Sequence, residues 1–319
     1  MALILREHHV RALLSMRDAV GALEEGFDAL AQGAIINPPR LRLAWANGVF
    51  TILAVAAPLF GVMGLKTYTA FREGTRFVVL LFSAYDGQLL AIIEADWLGC
   101  IRTGGVSAVA TKYLARPDAT VVGLIGAGKQ ASTQLLGICA VRPISNVYVY
   151  SRRERERERF CHEMALVLGI DVRPVATARQ AVEAVDILIT ATNSSEAVLS
   201  GEWLPPGCHI NAIGANWAQK RELDLATLQR CGLIFTDSSV QARTEAGDFI
   251  IPAREGLFDW NRVYELSEIF SNTELVRESP QEITLYKGLG TALEDIIVAA
   301  HVYQQAKKMA VGDEITLID

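Results

Sequence analysis

Residues 126–131, Gly-Ala-Gly-Lys-Gln-Ala, are the part of this chain whose types and spacing most directly suggest a chemistry. They read GxGxxA, directly after the apolar run VVGLI and at the start of a helix-like stretch. In that context Gly126 permits a tight turn, Gly128 lets the backbone approach a pyrophosphate, and Ala131 lets the helix pack closely on the strand. N–H groups at a helix start, here around Lys129 and Gln130, attract phosphate charge. An ordinary strand-to-helix turn is the alternative. The next strand ends in Tyr150-Ser151-Arg152-Arg153, where an NAD site usually carries an acidic residue. A serine hydroxyl beside guanidinium forks suits a 2′-phosphate, which favours NADP(H) over NAD(H). Arg152 and Arg153 also open the run RRERERERF, whose alternating charges read equally as a solvated helix face. Thr192, Asn193 and Ser194 follow the apolar stretch DILITA, at the carboxyl edge where ligands of open sheets collect; a plain turn competes with that reading.

These residues need elements to hold them. Residues 11–32 show apolar spacings near three and four, the pattern of one amphipathic helix, ended by Pro38 and Pro39. From 41 to 95 the runs LRLAW, VFTILAVAA, LKTYTAF, RFVVLLFSA and QLLAIIEA predict successive strands in an antiparallel or mixed sheet, with a turn at Asp86-Gly87. Residues 96–115 return to helix. From 118 onward strands alternate with helices, which predicts a parallel doubly wound sheet. A last helix covers 291–309. The expected organisation is an α/β fold: a Rossmann-type doubly wound domain over 116–291, inserted in a second, α+β domain made of 1–115 and 292–319.

Composition narrows the function class. A net charge of −6 gives no general pull towards nucleic acid or an anionic membrane. The most hydrophobic stretch, 49–65, falls short of about 20 residues and is broken by Pro58, Gly61 and Gly64, which argues against a membrane span. The start, MALILREHHV, lacks the apolar core and cleavage site of a signal peptide, so a cytoplasmic protein is expected. Five scattered cysteines without a CxxC pair argue against a disulfide framework or a structural zinc, and five histidines lack metal-ligand spacing.

The text resembles the ornithine cyclodeaminase/μ-crystallin family over nearly its whole length. The motifs are PPR at 38–40, GLKTY at 64–68, RTGGVSAVATKYLARPDA at 102–119 and GLIGAGKQA at 123–131. They continue with TATNS at 190–194, HINAIGAN at 209–216, KREL at 220–223 and ITLYKGLGTALEDIIVAA at 283–300. The resemblance implies a substrate and dimerisation domain from the N-terminal half plus the C-terminal helix, and a homodimer. It also implies that Arg40, Lys66 and Arg102 converge on a substrate carboxylate. The residues are compatible with this: Arg40 follows a Pro-Pro turn, Lys66 lies in an apolar strand, and Arg102 lies among Gly, Ala, Ser and Val. Cations in such settings are costly unless an anion offsets them. That anion is either a ligand or a local carboxylate, and Arg42 competes with Arg40. Gly288 and Gly290 look like the family's close approach to the nicotinamide, with helix-entry glycines as the other explanation.

One position departs from the family. Cyclodeaminases carry an aspartate where this chain has Asn216. An amide cannot trade protons as a carboxyl does, whereas hydride transfer relies on the cofactor. The expectation is therefore NAD(P)H-dependent reduction of a small α-imino acid to the L-amino acid, with Lys66, Arg102 and Asn216 as the catalytic set and no metal. The alternatives are an ammonia-releasing cyclodeaminase with bound NAD, acting on ornithine or lysine, and a non-catalytic NADPH-dependent ligand binder.

Overall fold

Periodicity switches from two to 3.6 along the chain, and the computed structural model shows what each stretch builds; it describes residues 1–316. The chain divides into two units, one of Met1–Gly105 with the chain from Gly290 onward, the other of Val106–Leu289. Where the sequence predicts 115/116, the division falls at 105/106, inside a helix that ends at Leu114. The second boundary lies at 289/290 rather than 291/292, and the end of the expected 292–319 segment lies outside the described residues.

The first unit is a mixed sheet with helices. Its elements are β1 (Ala2–Leu5), α1 (Glu7–Leu13), α2 (Met16–Ala31), β2 (Leu41–Trp45), β3 (Gly48–Ala57), β4 (Val62–Phe71), β5 (Gly74–Ser83), β6 (Leu89–Glu94) and the start of α3 (Asp96–Leu114). The single helix expected over 11–32 is two helices. Ser15 accepts from the Asp18 N–H while the Asp18 carboxylate accepts from the Ser15 N–H, a capping box that starts α2 afresh. The β2 to β6 meander pairs antiparallel, as the runs of alternating residues predict, and β1 adds to β6 in parallel.

The second unit contains β7 (Val121–Ile125), α4 (Lys129–Val141), β8 (Asn146–Tyr150), α5 (Glu154–Leu168), β9 (Asp171–Pro174), β10 (Ile187–Thr190), β11 (His209–Ala212), α6 (Leu225–Arg230), β12 (Cys231–Thr236), α7 (Ser239–Glu245), α8 (Gly247–Arg254), β13 (Val263–Glu265) and β14 (Ile283–Lys287). All pairings are parallel, in the order β13-β12-β14-β11-β10-β7-β8-β9. Each face of this sheet buries its own apolar cluster. One includes Leu135 and Ile138 of α4 with Phe160 of α5; the other includes Leu228 of α6 and Phe249 of α8. That is the doubly wound arrangement expected, with β14 inserted between β11 and β12 from late in the chain.

The chain then returns to the first unit with α9 (Ala292–Met309) and β15 (Asp313–Ile315), which pairs with β1. Helix α9 packs closely there. A Cβ on Gly26 of α2 would meet Ile297 at 3.2 Å, and one on Gly64 of β4 would meet Ile296 at 3.0 Å. Among the described residues no helix is long and apolar enough to cross a membrane.

Candidate functional site

In the second unit β7 and β10 are neighbours, and the strands that follow them in sequence lie on opposite sides. The loops after these two strands therefore border the crevice where open parallel sheets bind ligands. Gly126 leaves β7 with φ 118°, and a Cβ there would press on the carbonyl of Ala191 in the loop after β10. Gly128 is the N-cap of α4 and brings no side chain to it; nothing lies within 4 Å of where its Cβ would stand. That open volume at a helix start is the room a pyrophosphate needs, so these residues fit a dinucleotide. Ala131 is fully buried in the apolar cluster, while Lys129 and Gln130 are exposed in the first turn.

At the end of β8 the charged run divides between the two readings made of it. Arg153 pairs with Glu156 at 2.7 Å, on an exposed helix face. Arg152 is exposed, with no ion-pair partner among the described residues. Arg157, which the sequence did not single out, is buried; it donates to the Ser151 carbonyl at 2.8 Å and lies 5.9 Å from the Tyr150 ring. Ser151 is half-buried at this corner.

The loops after β10 and β11 hang from one carboxylate. Glu222 is fully buried and accepts from the Thr192 N–H at 2.7 Å, the Gly214 N–H at 2.7 Å, the Ala215 N–H at 3.3 Å and the Thr190 hydroxyl at 3.0 Å. Burial pushes its carboxyl above the usual range, and Lys287 pulls it back. Asp248 then holds the Glu222 segment, accepting from the N–H groups of Glu222 at 2.7 Å and Leu223 at 2.9 Å, and pairs with fully buried Lys287 at 2.9 Å. Thr192 and Ser194 are half-buried and Asn193 exposed in the first loop; Asn216 is half-buried in the second. Asp224 caps α6, accepting from the Thr227 N–H. Just after β12, Asp237 accepts from the Tyr286 hydroxyl of β14 and from the Leu289 N–H at 2.5 Å, and a Cβ on Gly288 would come 2.8 Å from the Ile213 side chain.

In the first unit the three expected cations gather about the start of α9. Lys66, on β4, lies 2.9 Å from Asp295. Arg102, on α3, lies 3.0 Å from the same Asp295 oxygen and 2.5 Å from Glu294. Arg40 donates to the Gly290 carbonyl at 3.1 Å. Gly290 has φ 80°, and a Cβ there would come 2.6 Å from Arg102 Nη1, so a turn residue and close packing both require glycine. Burial pulls the Lys66 ammonium below the usual lysine range; Asp295 opposes this and Arg102 reinforces it. Tyr68, two residues along β4, is pushed up by burial but brought below its ordinary value by Arg40, Arg42 and hydrogen bonds to Thr51 and Arg42. Both candidate arginines, 40 and 42, thus act on one phenol.

The sequence argument that an anion must offset Lys66 and Arg102 holds, but two protein carboxylates already supply it. Glu294 and Asp295 were missed because they sit in a helix read for its apolar side. Their signal was available: adjacent acids in the first turn of a helix otherwise buried along its length. Lys287, Glu222 and Asp248 were likewise not found, since their contacts join residues far apart in the sequence.

The sequence profile of the Ornithine cyclodeaminase/mu-crystallin family matches residues 1–310. The chain is 33% identical over 323 residues to a Delta(1)-pyrroline-2-carboxylate reductase of Bacillus cereus, covering 98% of this chain and 99% of that one. It is 32% identical to the alanine dehydrogenase of Archaeoglobus fulgidus, over 98% of each chain. Among solved structures, Thermococcus litoralis Delta(1)-pyrroline-2-carboxylate reductase in complex with NADH and L-proline superposes with a TM-score of 0.94 and 35% identity, covering 98% of this chain and all of that one. With its parallel dinucleotide-type sheet and its cationic cluster in place, the chain belongs to the ornithine cyclodeaminase/mu-crystallin family.

Proposed function

We propose that this protein is an NAD(P)H-dependent oxidoreductase of the CH–NH class that reduces a small α-imino acid to the L-amino acid. The substrate is a cyclic ketimine such as pyrroline- or piperideine-2-carboxylate, or the imine of a 2-oxo acid. One observation carries the reading: Lys66, Arg102 and Arg40 gather around Gly290 and the start of α9, where Asp295 and Glu294 meet Lys66 and Arg102. Relatives named for pyrroline-2-carboxylate and alanine support a substrate of that size.

The chain's own groups then divide the work. Arg40 and Arg102 hold the carboxylate, and their fixed geometry restricts the imine to one orientation. Lys66 keeps positive charge at the imine nitrogen or hands it a proton. Gly126, Gly128 and the start of α4 hold the pyrophosphate, with Lys129 and Gln130 in the first turn. Thr192, Asn193, Ser194, Asn216 and Gly288 belong to the second-unit loops that would hold the rest of the nucleotide. The bound dinucleotide supplies a hydride. Asn216 orients by hydrogen bonds and carries no proton of its own to give.

NADPH is preferred over NADH in this reading, with Ser151 and exposed Arg152 meeting the 2′-phosphate. The Thermococcus litoralis reductase structure holds NADH, so the choice between the two dinucleotides is tested directly by comparing them as substrates. The protein works in the cytoplasm as a homodimer, a second copy covering Leu41, Leu43 and Trp45, which stand exposed on one face of edge strand β2. The test is dinucleotide oxidation at 340 nm over pyrroline-2-carboxylate, piperideine-2-carboxylate, and pyruvate with amines. Turnover on at least one is expected, and Lys66→Ala lowers its kcat/KM by about 100-fold or more, the scale of a lost proton donor. Activity left intact by Lys66→Ala refutes the assignment of that lysine.

A further inference from the structure

Asp295 is the most enclosed member of the cationic cluster, at 0% exposure, and its two oxygens are used unequally. Oδ1 accepts a hydrogen bond from Lys66 Nζ at 2.9 Å and lies 3.0 Å from Arg102 Nε, an ion-pair contact outside hydrogen-bond geometry. Oδ2 is buried with no hydrogen-bond partner among the described residues. Glu294 is placed differently: one oxygen closes the capping box of α9 on the Thr291 N–H, at 2.8 Å, and the other meets Arg102 at 2.5 Å. A carboxylate that only neutralised two cations would spread them over both oxygens. Asp295 instead ties them to one point, which fixes the separation of Lys66 from Arg102.

We infer that Asp295 is the positioning residue of this cluster: one oxygen sets the spacing of Lys66 and Arg102 and keeps Lys66 as the ammonium that protonates the imine nitrogen. This rests on the reductase reading above. In the step, the imine carbon takes a hydride from the reduced dinucleotide, and the C=N π pair moves to nitrogen. That nitrogen takes a proton from Lys66, breaking an N–H bond of the ammonium, and Lys66 regains a proton from water.

The groups facing Lys66 come from several elements. Helix α9 contributes Asp295 and α3 contributes Arg102, with Tyr68 further along β4. The Phe77 ring of β5 lies 5.1 Å from Nζ, β3 pairs its apolar Leu53 with Lys66, and α3 leaves space at Gly99, whose Cβ would stand 3.4 Å from Nζ. Of these, Asp295 is the carboxylate that opposes the effect of burial. Without its charge, Lys66 gives up its proton at lower pH.

The experiment follows the Lys66 side chain by NMR in protein carrying labelled lysine, with the signal assigned through Lys66→Arg. It is paired with the pH dependence of kcat on the best imine. In Asp295→Asn the Lys66 titration and the alkaline limb of kcat both move about 1–3 pH units lower, the effect of removing an opposite charge at this range. NAD(P)H affinity stays the same, and Glu294→Gln leaves the limb in place. A Lys66 titration unmoved in folded Asp295→Asn overturns the inference. Should that variant not fold, Asp295→Glu carries the test: it keeps the charge and the titration but displaces the cations, so kcat falls about 100-fold; an undiminished kcat overturns the inference. Wild-type protein that turns over no imine refutes the reductase reading instead, while the NMR titration still reports on Asp295.

Discussion

The two candidate sites of this molecule are made from opposite materials. In the first unit the candidate ligand groups are themselves ions, Lys66 and Arg102, buried against Asp295 and Glu294. In the second unit the surface offered is glycine backbone at Gly126 and Gly128, and the buried ions stand behind it. Glu222 and Asp248 there hold loops by accepting backbone N–H groups. The difference teaches where a charge is functional and where it is a fastening. A small carboxylate needs cations within reach, whereas a pyrophosphate is served by open space and amide dipoles.

The strongest way to break this comparison is to remove a fastening. Asp248→Ala takes away the partner of fully buried Lys287 and the acceptor of two backbone donors. Loss of one member of a buried pair costs about 3–5 kcal/mol. Urea unfolding at pH 7 is therefore expected to show that loss in the second unit's transition. A loss under 1 kcal/mol would mean that Asp248 is not a fastening and that the contrast between the units is false.

A smaller effect separates paired from unpaired buried titratable groups. His209 is fully buried in β11, with Nδ1 2.9 Å from the Thr284 hydroxyl, and burial, helped by Arg277, lowers its pKa from 6.5 to about 3. The native state keeps it neutral while the unfolded chain takes up a proton below 6.5. Stability from this group is complete above that pH and is lost as pH falls towards 3. The slope approaches about 1.4 kcal/mol per pH unit, so acidification from 6.5 to 4.5 costs about 2–3 kcal/mol. His209→Gln is expected to lose that much less than wild type over the same interval, measured by denaturant unfolding at both pH values. Equal losses in the two proteins would show that the histidine is already charged in the fold.

These contrasts also explain what could be read in advance. The glycine-rich turn is contiguous, and each of its residues answers to a local requirement, so GAGKQA was legible as the link between its strand and helix. The strands of the first sheet were legible for the same reason, since alternation and turn residues are local. The cap that splits α1 from α2 was written as Ser15-x-x-Asp18 but lay under a continuous apolar pattern. What could not be read is pairing at a distance. Lys66 meets a carboxylate 229 positions away, and β14 enters the middle of a sheet whose other strands are complete before it. The sequence stated that Lys66 and Arg102 need an anion; which anion is decided by α9 returning to the first unit.

The finest test sets two glycines of one turn against each other. At Gly126 a Cβ would collide with the Ala191 carbonyl at a φ that L-residues rarely adopt, so Gly126→Ala strains the fold itself, by about 1–3 kcal/mol. At Gly128 nothing lies within 4 Å of the missing Cβ, and its φ of −94° suits any residue. Gly128→Ala should leave the melting temperature within about 2 °C, the shift of a surface change worth under 0.5 kcal/mol. If the volume in front of α4 belongs to a pyrophosphate, the same methyl group weakens NAD(P)H binding about 10-fold, roughly 1.4 kcal/mol, as read by fluorescence titration of the reduced dinucleotide. Stability and affinity then separate at one residue and move together at the other. Unchanged affinity in Gly128→Ala would place the phosphates elsewhere and leave the open volume without a role.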